Sequence, residues 1–177
     1  MSRHSLTVQI VNRLLGNNPI IPVPIESIVQ AQGIKLLPYD LGDEISGVLI
    51  FENGGATIGY NKNESKVRNR FTIAHELGHF ELHKGKEIFV DKDFSVMFRN
   101  NKDGEKPREE AEANDFAACI LMPTNFVLAE LQNIRFDYTD DNAIKELAKK
   151  FDVSSIAMSL RISHLRYAMN RNFSSKS

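Results

Sequence analysis

The segment His75-Glu76-Leu77-Gly78-His79 constrains this chain more than any other, because it is an H-E-x-x-H motif. A helix places residues i and i+4 on one face, one turn apart, so two imidazoles at this spacing can bind one metal ion. Glu76 follows the first histidine, and we expect it to hydrogen-bond a zinc-bound water, whose pKa zinc lowers to about 7. The motif therefore predicts a zinc metallopeptidase in which Glu76 is the general base that assists attack of this water on a peptide bond.

The residues around the motif favour a buried helix over residues 71–83. Phe71-Thr72-Ile73-Ala74 places apolar side chains on its first turn. Burying two histidines and a glutamate is costly unless these groups have partners. The alternative, three polar residues on an exposed helix face, is therefore disfavoured.

A catalytic zinc site has three protein ligands, so a third must come from outside the motif. His83 is the nearest candidate, but on a continuous helix it lies about 12 Å along the axis from His75. No glycine between His79 and His83 would break the helix and turn it back. We therefore reject His83 as a ligand and expect it to pack or hydrogen-bond at the rim of the site.

The second source of a ligand is an acidic helix start, where Glu109, Glu110 and Glu112 precede an apolar face. Glu110 and Asn114 lie one turn apart, so the carboxylate can bind zinc while the amide orients a ligating histidine. Glu112 points roughly 200° around the helix from Glu110, so the two cannot both be ligands. Acidic residues also suit an ordinary helix N-terminus. We prefer Glu110 and keep Glu109 and Glu112 as alternatives.

The segment Phe71–His79 resembles the active-site helix of the ImmA/IrrE metallopeptidase family, and Glu110-x-x-x-Asn114 running on to Met122-Pro123 resembles that family's second motif. The resemblance covers roughly residues 20–168. It implies an α+β fold with a thermolysin-like zincin core, a small and mainly antiparallel sheet, and the H-E-x-x-H helix. It also implies one Zn²⁺ per chain, held by His75, His79 and Glu110.

The same resemblance suggests a substrate, because family members encoded near helix-turn-helix repressors cleave those repressors. It implies that the strand Ala56–Tyr60 is the sheet edge along which an extended substrate pairs. Tyr60 or His83 would then help to polarise the scissile carbonyl, and Asn114 would support the metal site. Segment 84–107 matches no family pattern, and we interpret it as a flap over the cleft.

Elsewhere the periodicity predicts helices at 6–15, 25–32, 109–121 and 126–134 and short strands at 34–37, 47–51, 56–60 and near 87–90. Asn53-Gly54-Gly55 predicts a hairpin turn, since these residues tolerate positive φ. Gly78 costs about 1 kcal/mol of helix propensity, so we expect a close packing neighbour there.

The C-terminal region predicts a helix-turn-helix-like pair, Asp141–Phe151 and Ser154–Ala168, with Ser154 as the second N-cap. From Asp140 to Ser177, seven Lys or Arg residues stand against four Asp or Glu. This excess is weak for a DNA-binding face, so DNA is a possible but not a favoured partner. The alternative function is a DNA- or repressor-binding regulator with a structural or vestigial zinc site. We divide the chain into a metallopeptidase domain (1–135), the helical segment packed on it (136–170) and a disordered tail (171–177).

The overall composition is that of a globular protein with little net charge, since 22 Lys and Arg residues face 23 Asp and Glu. The N-terminus lacks the shape of a signal peptide, and no segment is long and apolar enough to span a membrane. Cys119 is the single cysteine, which excludes an internal disulfide. We expect it to be an inert buried thiol, with a role as a fourth ligand or in redox chemistry as the alternative. The protein is expected to be cytoplasmic and without a membrane partner.

Overall fold

The structure, a computed structural model, describes residues 3–17, 19–52, 54–83, 88–92, 107–133 and 140–174. Within these residues the chain is α+β, as predicted. The helices are α1 (Arg3–Leu15), α2 (Ile25–Ala31), α3 (Lys66–Leu82), α4 (Pro107–Leu121), α5 (Thr124–Asn133), α6 (Asp141–Phe151) and α7 (Ser155–Ser174). The strands are β1 (Lys35–Tyr39), β2 (Ile45–Glu52), β3 (Gly55–Asn61) and β4 (Ile88–Lys92).

The four strands form one mixed sheet in the order β1-β3-β2-β4. β2 is antiparallel to both β3 and β4, whereas β1 is parallel to β3. The predicted hairpin between β2 and β3 is confirmed, and Gly54 has the positive φ of 75° that its turn requires. Asn53, the other residue on which that prediction depended, lies outside the described residues.

The prediction that the Ala56–Tyr60 strand is a sheet edge is wrong. β3 pairs with β2 on one side, as in Leu49↔Ile58, and with β1 on the other, as in Leu36↔Ile58. Its backbone groups are therefore used on both sides and cannot bind an added strand. β1 and β4 are the outer strands of the described sheet.

Helix α3 lies across the sheet and forms the centre of the core. Ile73, Ala74 and Leu77 are buried in one cluster with Leu49 and Ile58 of the sheet. The helix begins at Lys66, before the predicted residue 71, because the Ser65 side chain accepts a hydrogen bond from the Arg68 N–H as its N-cap. This added turn lies next to the sheet and fixes the direction in which α3 enters the core.

Helices α6 and α7 form the predicted C-terminal pair. α6 ends at Asp152, which has the left-handed φ of 54°, and the Ser154 hydroxyl accepts from the Ala157 N–H at the start of α7. α7 continues to Ser174, past the predicted end at Ala168 and into the segment 171–177 that was predicted to be a disordered tail. Residues 175–177 lie outside the described part of the chain.

Two buried arginines tie this helix pair to the rest of the molecule. Arg70 of α3 donates to the carbonyl oxygens of Val23 (2.8 Å) and Asp152 (3.2 Å). Arg161 of α7 donates to the Met122 carbonyl (3.1 Å) and the Thr124 hydroxyl (3.0 Å). The apolar residues of the pair belong to the same core as α3 and α4. The pair is therefore packed directly on the elements that carry the H-E-x-x-H motif and the second motif.

The predicted flap over residues 84–107 falls largely on residues 84–87 and 93–106, which lie outside the described residues, as does the predicted helix end at residue 134. The strand predicted near residues 87–90 is present as β4, Ile88–Lys92. Among the described helices, none has the length and apolar character needed to cross a membrane.

Candidate metal centre

The structure brings His75, His79 and Glu110 together between α3 and α4. The Nε2 atoms of the two histidines are 3.0 Å apart. The Glu110 carboxylate lies against both, with Oε2 3.1 Å from His75 Nε2 and Oε1 3.2 Å from His79 Nε2. Both histidine rings are almost completely buried, and Glu110 is 16% exposed. Three potential metal ligands thus converge on one point at the edge of the core.

Glycine at position 78 allows the two helices to approach closely enough for this arrangement. A Cβ atom there would lie 3.1 Å from Phe116 Cβ and 3.2 Å from Ala113 Cα. Both distances are shorter than ordinary van der Waals contacts, which are about 3.5 to 4.0 Å between carbon atoms. The close packing neighbour expected from the sequence is therefore confirmed. This neighbour is the part of α4 that begins one turn after Glu110.

The two other acidic candidates on α4 have different surroundings. The Glu112 carboxylate accepts from Arg108 Nε at 3.0 Å and lies 3.9 Å from His83 Nε2. The backbone carbonyl of Glu109 lies 3.3 Å from the same His83 nitrogen. The group of metal-ligating atoms that includes His75 and His79 contains Glu110 alone among the three glutamates.

His83 lies beside the three-residue group and not within it. It is the C-cap residue of α3, and its ring nitrogen faces the start of α4, near Glu109 and Glu112. The ring centroids of His79 and His83 are 5.4 Å apart. This position is at the rim, where a side chain can contact a molecule bound at the centre.

Asn114 orients the first histidine of the motif. His75 Nδ1–H donates to Asn114 Oδ1 over 3.0 Å. With its proton on Nδ1, the imidazole presents the Nε2 lone pair toward His79 and Glu110. Residues 110 and 114 are one turn apart on α4, so a single helix supplies both the carboxylate and the group that fixes the histidine ring.

Glu76 lies on the side of α3 that faces strand β2. It is completely buried. A Cβ atom at Gly47 would overlap the Thr72 methyl group and lie 3.2 Å from Glu76 Oε1. This role of Gly47 was not predicted, although a glycine inside a strand often marks a close approach by another element.

Tyr60 is half-buried on β3 and packs against the apolar core. It pairs across the sheet with Gly47, and directly paired residues point to the same face. Gly47 faces Thr72 and Glu76, so Tyr60 lies on the side of the sheet that α3 covers. Tyr60 is therefore on the same face of the sheet as the motif, and strand β2 separates β3 from the edge strand β4.

The electrostatics of the group favour a neutral His79 beside an ionised Glu110. Burial lowers the pKa of His79 below its usual value, and neighbouring His75 lowers it further, although Glu110 opposes both effects. Burial by itself would raise the pKa of Glu110, but the adjacent His75 and His79 rings outweigh it and hold that pKa well below the usual range. Neutral imidazoles and a carboxylate are the protonation states that bind a divalent metal.

This donor set fits zinc. Two imidazole nitrogens and one carboxylate are a known set of three protein ligands for catalytic zinc, which leaves one coordination position for water or substrate. All the candidate donor atoms of the group lie within 4.8 Å of one another. The hydrogen-bonded His75 ring is also the usual arrangement behind a zinc-binding histidine.

Cys119 is buried on α4, as expected from the sequence. Burial raises the pKa of its thiol to about 11, and the nearby Arg161 opposes only part of this effect. The thiol is therefore protonated at neutral pH, so by itself it is a poor nucleophile.

Comparisons with known proteins agree with the two motifs. The model of a peptidase family described as "IrrE N-terminal-like domain" matches residues 29–163. The chain is 30% identical over 128 residues to "Uncharacterized immunity region protein 2" of Bacillus phage phi105, covering 70% of this chain and 75% of the phage protein. It is 26% identical over 167 residues to "Metallopeptidase ImmA" of Bacillus subtilis (strain 168), covering 94% of this chain and 88% of that relative.

Proposed function

The chain belongs to the ImmA/IrrE family of metallopeptidases, and on that premise we propose that it is a zinc-dependent endopeptidase with a thermolysin-like zincin core that cleaves a regulatory protein. The observation that carries this proposal is the convergence of His75, His79 and Glu110 on one point, with the buried Glu76 next to His75. Two imidazoles, a carboxylate and an adjacent acid are the groups that zinc-assisted peptide hydrolysis needs.

His75, His79 and Glu110 would hold one zinc ion, and Asn114 would keep the His75 ring in position. When bound, zinc acts as a Lewis acid on the scissile carbonyl and lowers the pKa of water to about 7. The Glu110 carboxylate partly neutralises the charge of the ion. This keeps the site close to neutral within a largely apolar environment.

Glu76 is proposed as the general base. Its carboxylate is removed from bulk solvent and is confined by the close approach of β2 at Gly47. There it accepts the proton of the attacking water and then passes that proton to the leaving amine. The rigid packing on both sides keeps the carboxylate in one position, as efficient proton transfer requires.

The substrate strand is proposed to pair along β4, because β3 is an interior strand. β4 is the outer strand next to β2, and α3 packs against β2, β3 and β4. An extended peptide added to this edge would run past the α3 face that carries the motif. His83, at the rim, is then the nearer candidate for contact with the scissile carbonyl, and Tyr60 lies further inside the sheet.

The proposed substrate is a helix-turn-helix transcriptional repressor. The support is the family resemblance and the names of the relatives, one an immunity region protein and the other the metallopeptidase ImmA. A protein substrate also fits an outer strand, because main-chain hydrogen bonds to β4 do not depend on the substrate's side chains.

The test uses the purified chain, loaded with zinc, and a candidate helix-turn-helix repressor as substrate. Mass spectrometry should show a single pair of products from the wild type. Glu76→Gln should keep the zinc and lose cleavage by at least about 100-fold, since general base catalysis contributes about 10²- to 10⁴-fold. His79→Ala should lose both zinc and cleavage. Normal cleavage by Glu76→Gln would show that the proposed mechanism is wrong.

The alternative is a DNA- or repressor-binding regulator that uses the helix-turn-helix-like pair α6 and α7. Two cations of this pair are already engaged in protein contacts: Arg161 is buried, and Lys150 forms an ion pair with Glu130 at 2.7 Å. The exposed apolar residues Ile156 and Leu160 near the start of α7 also differ from a phosphate-binding surface. Salt-dependent binding of the full chain to its promoter DNA, unchanged by zinc removal, would favour the alternative.

A further inference from the structure

A second group of metal-ligating side chains lies where α1 packs against α4. His4 Nδ1–H donates to Asp115 Oδ2 over 3.0 Å, and the Cys119 thiol lies 3.9 Å from Asp115 Oδ1. The candidate ligand atoms of the three residues are all within 4.8 Å of one another. Asp115 and Cys119 have the i,i+4 spacing that places two ligands on one helix face.

The donor distances are close to those around a tetrahedral metal ion. With zinc bonds of about 2.0 Å to nitrogen or oxygen and 2.3 Å to sulfur, tetrahedral geometry separates the donors by roughly 3.3 to 3.6 Å. The separations of 3.0 Å from His4 Nδ1 to Asp115 Oδ2 and of 3.9 Å from Cys119 Sγ to Asp115 Oδ1 lie on either side of these values. Small rotations of the side chains would bring these donor atoms to the separations of a tetrahedral site. We infer that His4, Asp115 and Cys119 form a second divalent-metal site, with the thiolate, imidazole and carboxylate set that suits zinc.

This site is separate from the one formed by His75, His79 and Glu110. Asp115 is roughly 140° around α4 from Glu110, so the two carboxylates face different neighbouring helices. The side chains of His4 and Asp115 are 65% and 37% exposed, whereas Cys119 is buried. A metal ion therefore enters from solvent, binds the thiolate at the inner end, and keeps its remaining position for water.

The charges balance when the ion is bound. The thiol loses its proton to solvent as the metal–sulfur bond forms, and His4 moves its ring proton to Nε2 so that Nδ1 binds the metal. One thiolate and one carboxylate then offset the two charges of the ion. Burial raises the pKa of the Cys119 thiol, and the positive charge of Arg161, close enough to interact with the sulfur, opposes part of this effect.

The consequence is a metal cross-link between α1 and the helix that carries Glu110 and Asn114. α1 also packs on the rest of the molecule through the buried Thr7 and Val11 and through the ion pair of Arg13 with Glu81 on α3, at 2.8 Å. His4 lies nine residues before Arg13, about 13.5 Å along the helix axis. An ion at His4 therefore secures the N-terminal end of α1, which the Arg13 ion pair does not hold.

Cobalt distinguishes the two sites, because a thiolate ligand gives Co²⁺ a near-ultraviolet charge-transfer absorption that nitrogen and oxygen ligands do not give. Metal-free full-length protein is titrated with Co²⁺. Two equivalents should bind, and the sulfur band should saturate with one of them. His79→Ala should lose one equivalent and keep the band, so failure of the proposed catalytic site leaves this result unchanged.

Cys119→Ser should lose the band. His4→Ala and Asp115→Asn should each lower the affinity for the Co²⁺ ion that gives this band by at least about tenfold. The matched control is His164→Ala, which removes an exposed histidine from α7. This control variant should still bind two equivalents of Co²⁺ and show the sulfur band. His4→Ala changes an exposed residue, so it keeps the test informative if Cys119→Ser fails to fold.

Two results would overturn the inference. The first is a wild-type titration with no sulfur band. The second is a sulfur band that His4→Ala and Asp115→Asn still show, at the same Co²⁺ affinity as His164→Ala. The thiol would then bind cobalt without the other two residues.

Discussion

Asn114 shows how one residue can control a metal site without binding the metal. Its side-chain oxygen accepts the Nδ1–H of His75 over 3.0 Å and so fixes both the tautomer and the orientation of that ring. Without it, the ring can rotate and its proton can move to Nε2, the atom that faces Glu110. The geometry of the ligand set therefore depends on α4 for two residues, Glu110 and Asn114.

We predict that Asn114→Ala lowers zinc affinity by about 10- to 100-fold, the usual cost of losing the partner of a metal-binding histidine. A competition titration against a chromogenic chelator measures this affinity directly. Asn125→Ala, an exposed asparagine on the next helix, is the matched control and should leave the affinity unchanged. Equal affinities for the two variants would contradict the role given to Asn114.

The residues of the centre were only partly predictable from the sequence. The spacing of His75 and His79 within one helix is a local property, so the motif predicts their common face. The choice among Glu109, Glu110 and Glu112 depends on how α4 is rotated against α3, which no local pattern records. That rotation is set by tertiary contacts such as the one between Gly78 and Phe116.

At the level of elements, the contact between β2 and α3 positions the proposed base. Gly47 lies directly opposite Thr72, and any side chain at position 47 would overlap the Thr72 methyl group and crowd Glu76. The strand and helix can therefore approach only because this residue lacks a Cβ atom. The distance between the sheet and the motif helix is set at this position.

We predict that Gly47→Ala lowers the free energy of unfolding by about 1–3 kcal/mol, the usual cost of overpacking, and reduces cleavage by displacing Glu76. Adding Thr72→Ser removes the overlapping methyl group and should restore most of the loss. Gly55→Ala, on the same hairpin, is the control: a Cβ atom there would lie an ordinary 3.6 Å from the Glu52 carbonyl. Urea denaturation of the wild type, the two Gly47→Ala variants and Gly55→Ala measures the effect. If Gly47→Ala alone is as stable as Gly55→Ala, the prediction is contradicted.

The sequence predicted most of the elements but not the order of the strands. The β2–β3 hairpin follows from alternation and an Asn-Gly-Gly turn, which are local signals. The position of β1 beside β3 is a parallel pairing between segments that are not joined by a hairpin. Nothing in the pattern of residues 56–60 indicates whether that strand has one neighbour or two, and the edge prediction was wrong for this reason.

In the whole molecule, buried arginines join the C-terminal helices to the centre. Arg161 is 5% exposed, and its guanidinium donates to the Met122 carbonyl and the Thr124 hydroxyl at the α4–α5 corner. From the sequence, this arginine was one of seven cations in a weakly basic segment. Its structural role depends on long-range packing, so composition alone did not distinguish this arginine from the other cations of the segment.

We predict that Arg161→Met lowers the free energy of unfolding by about 2–4 kcal/mol, because the lost hydrogen bonds leave the carbonyl of the buried Met122 without its charged donor. Lys145→Met, at an exposed position of the preceding helix α6, should change it by less than about 0.5 kcal/mol. Equilibrium urea unfolding of both variants, in excess zinc, provides the comparison. Equal stabilities would contradict the anchoring role of Arg161.

Zinc removal should destabilise the whole molecule, because His75 and His79 lie on the central core helix and Glu110 lies on its close neighbour. At a free zinc concentration of about 100 times Kd, binding adds about 2.7 kcal/mol to the folded state. For a chain of this size that corresponds to a rise in Tm of roughly 5–10 °C. Differential scanning calorimetry with zinc or with excess chelator measures the shift. His79→Ala should lose most of this rise in Tm. If His79→Ala shows the same rise as the wild type, the stabilising ion does not bind between α3 and α4.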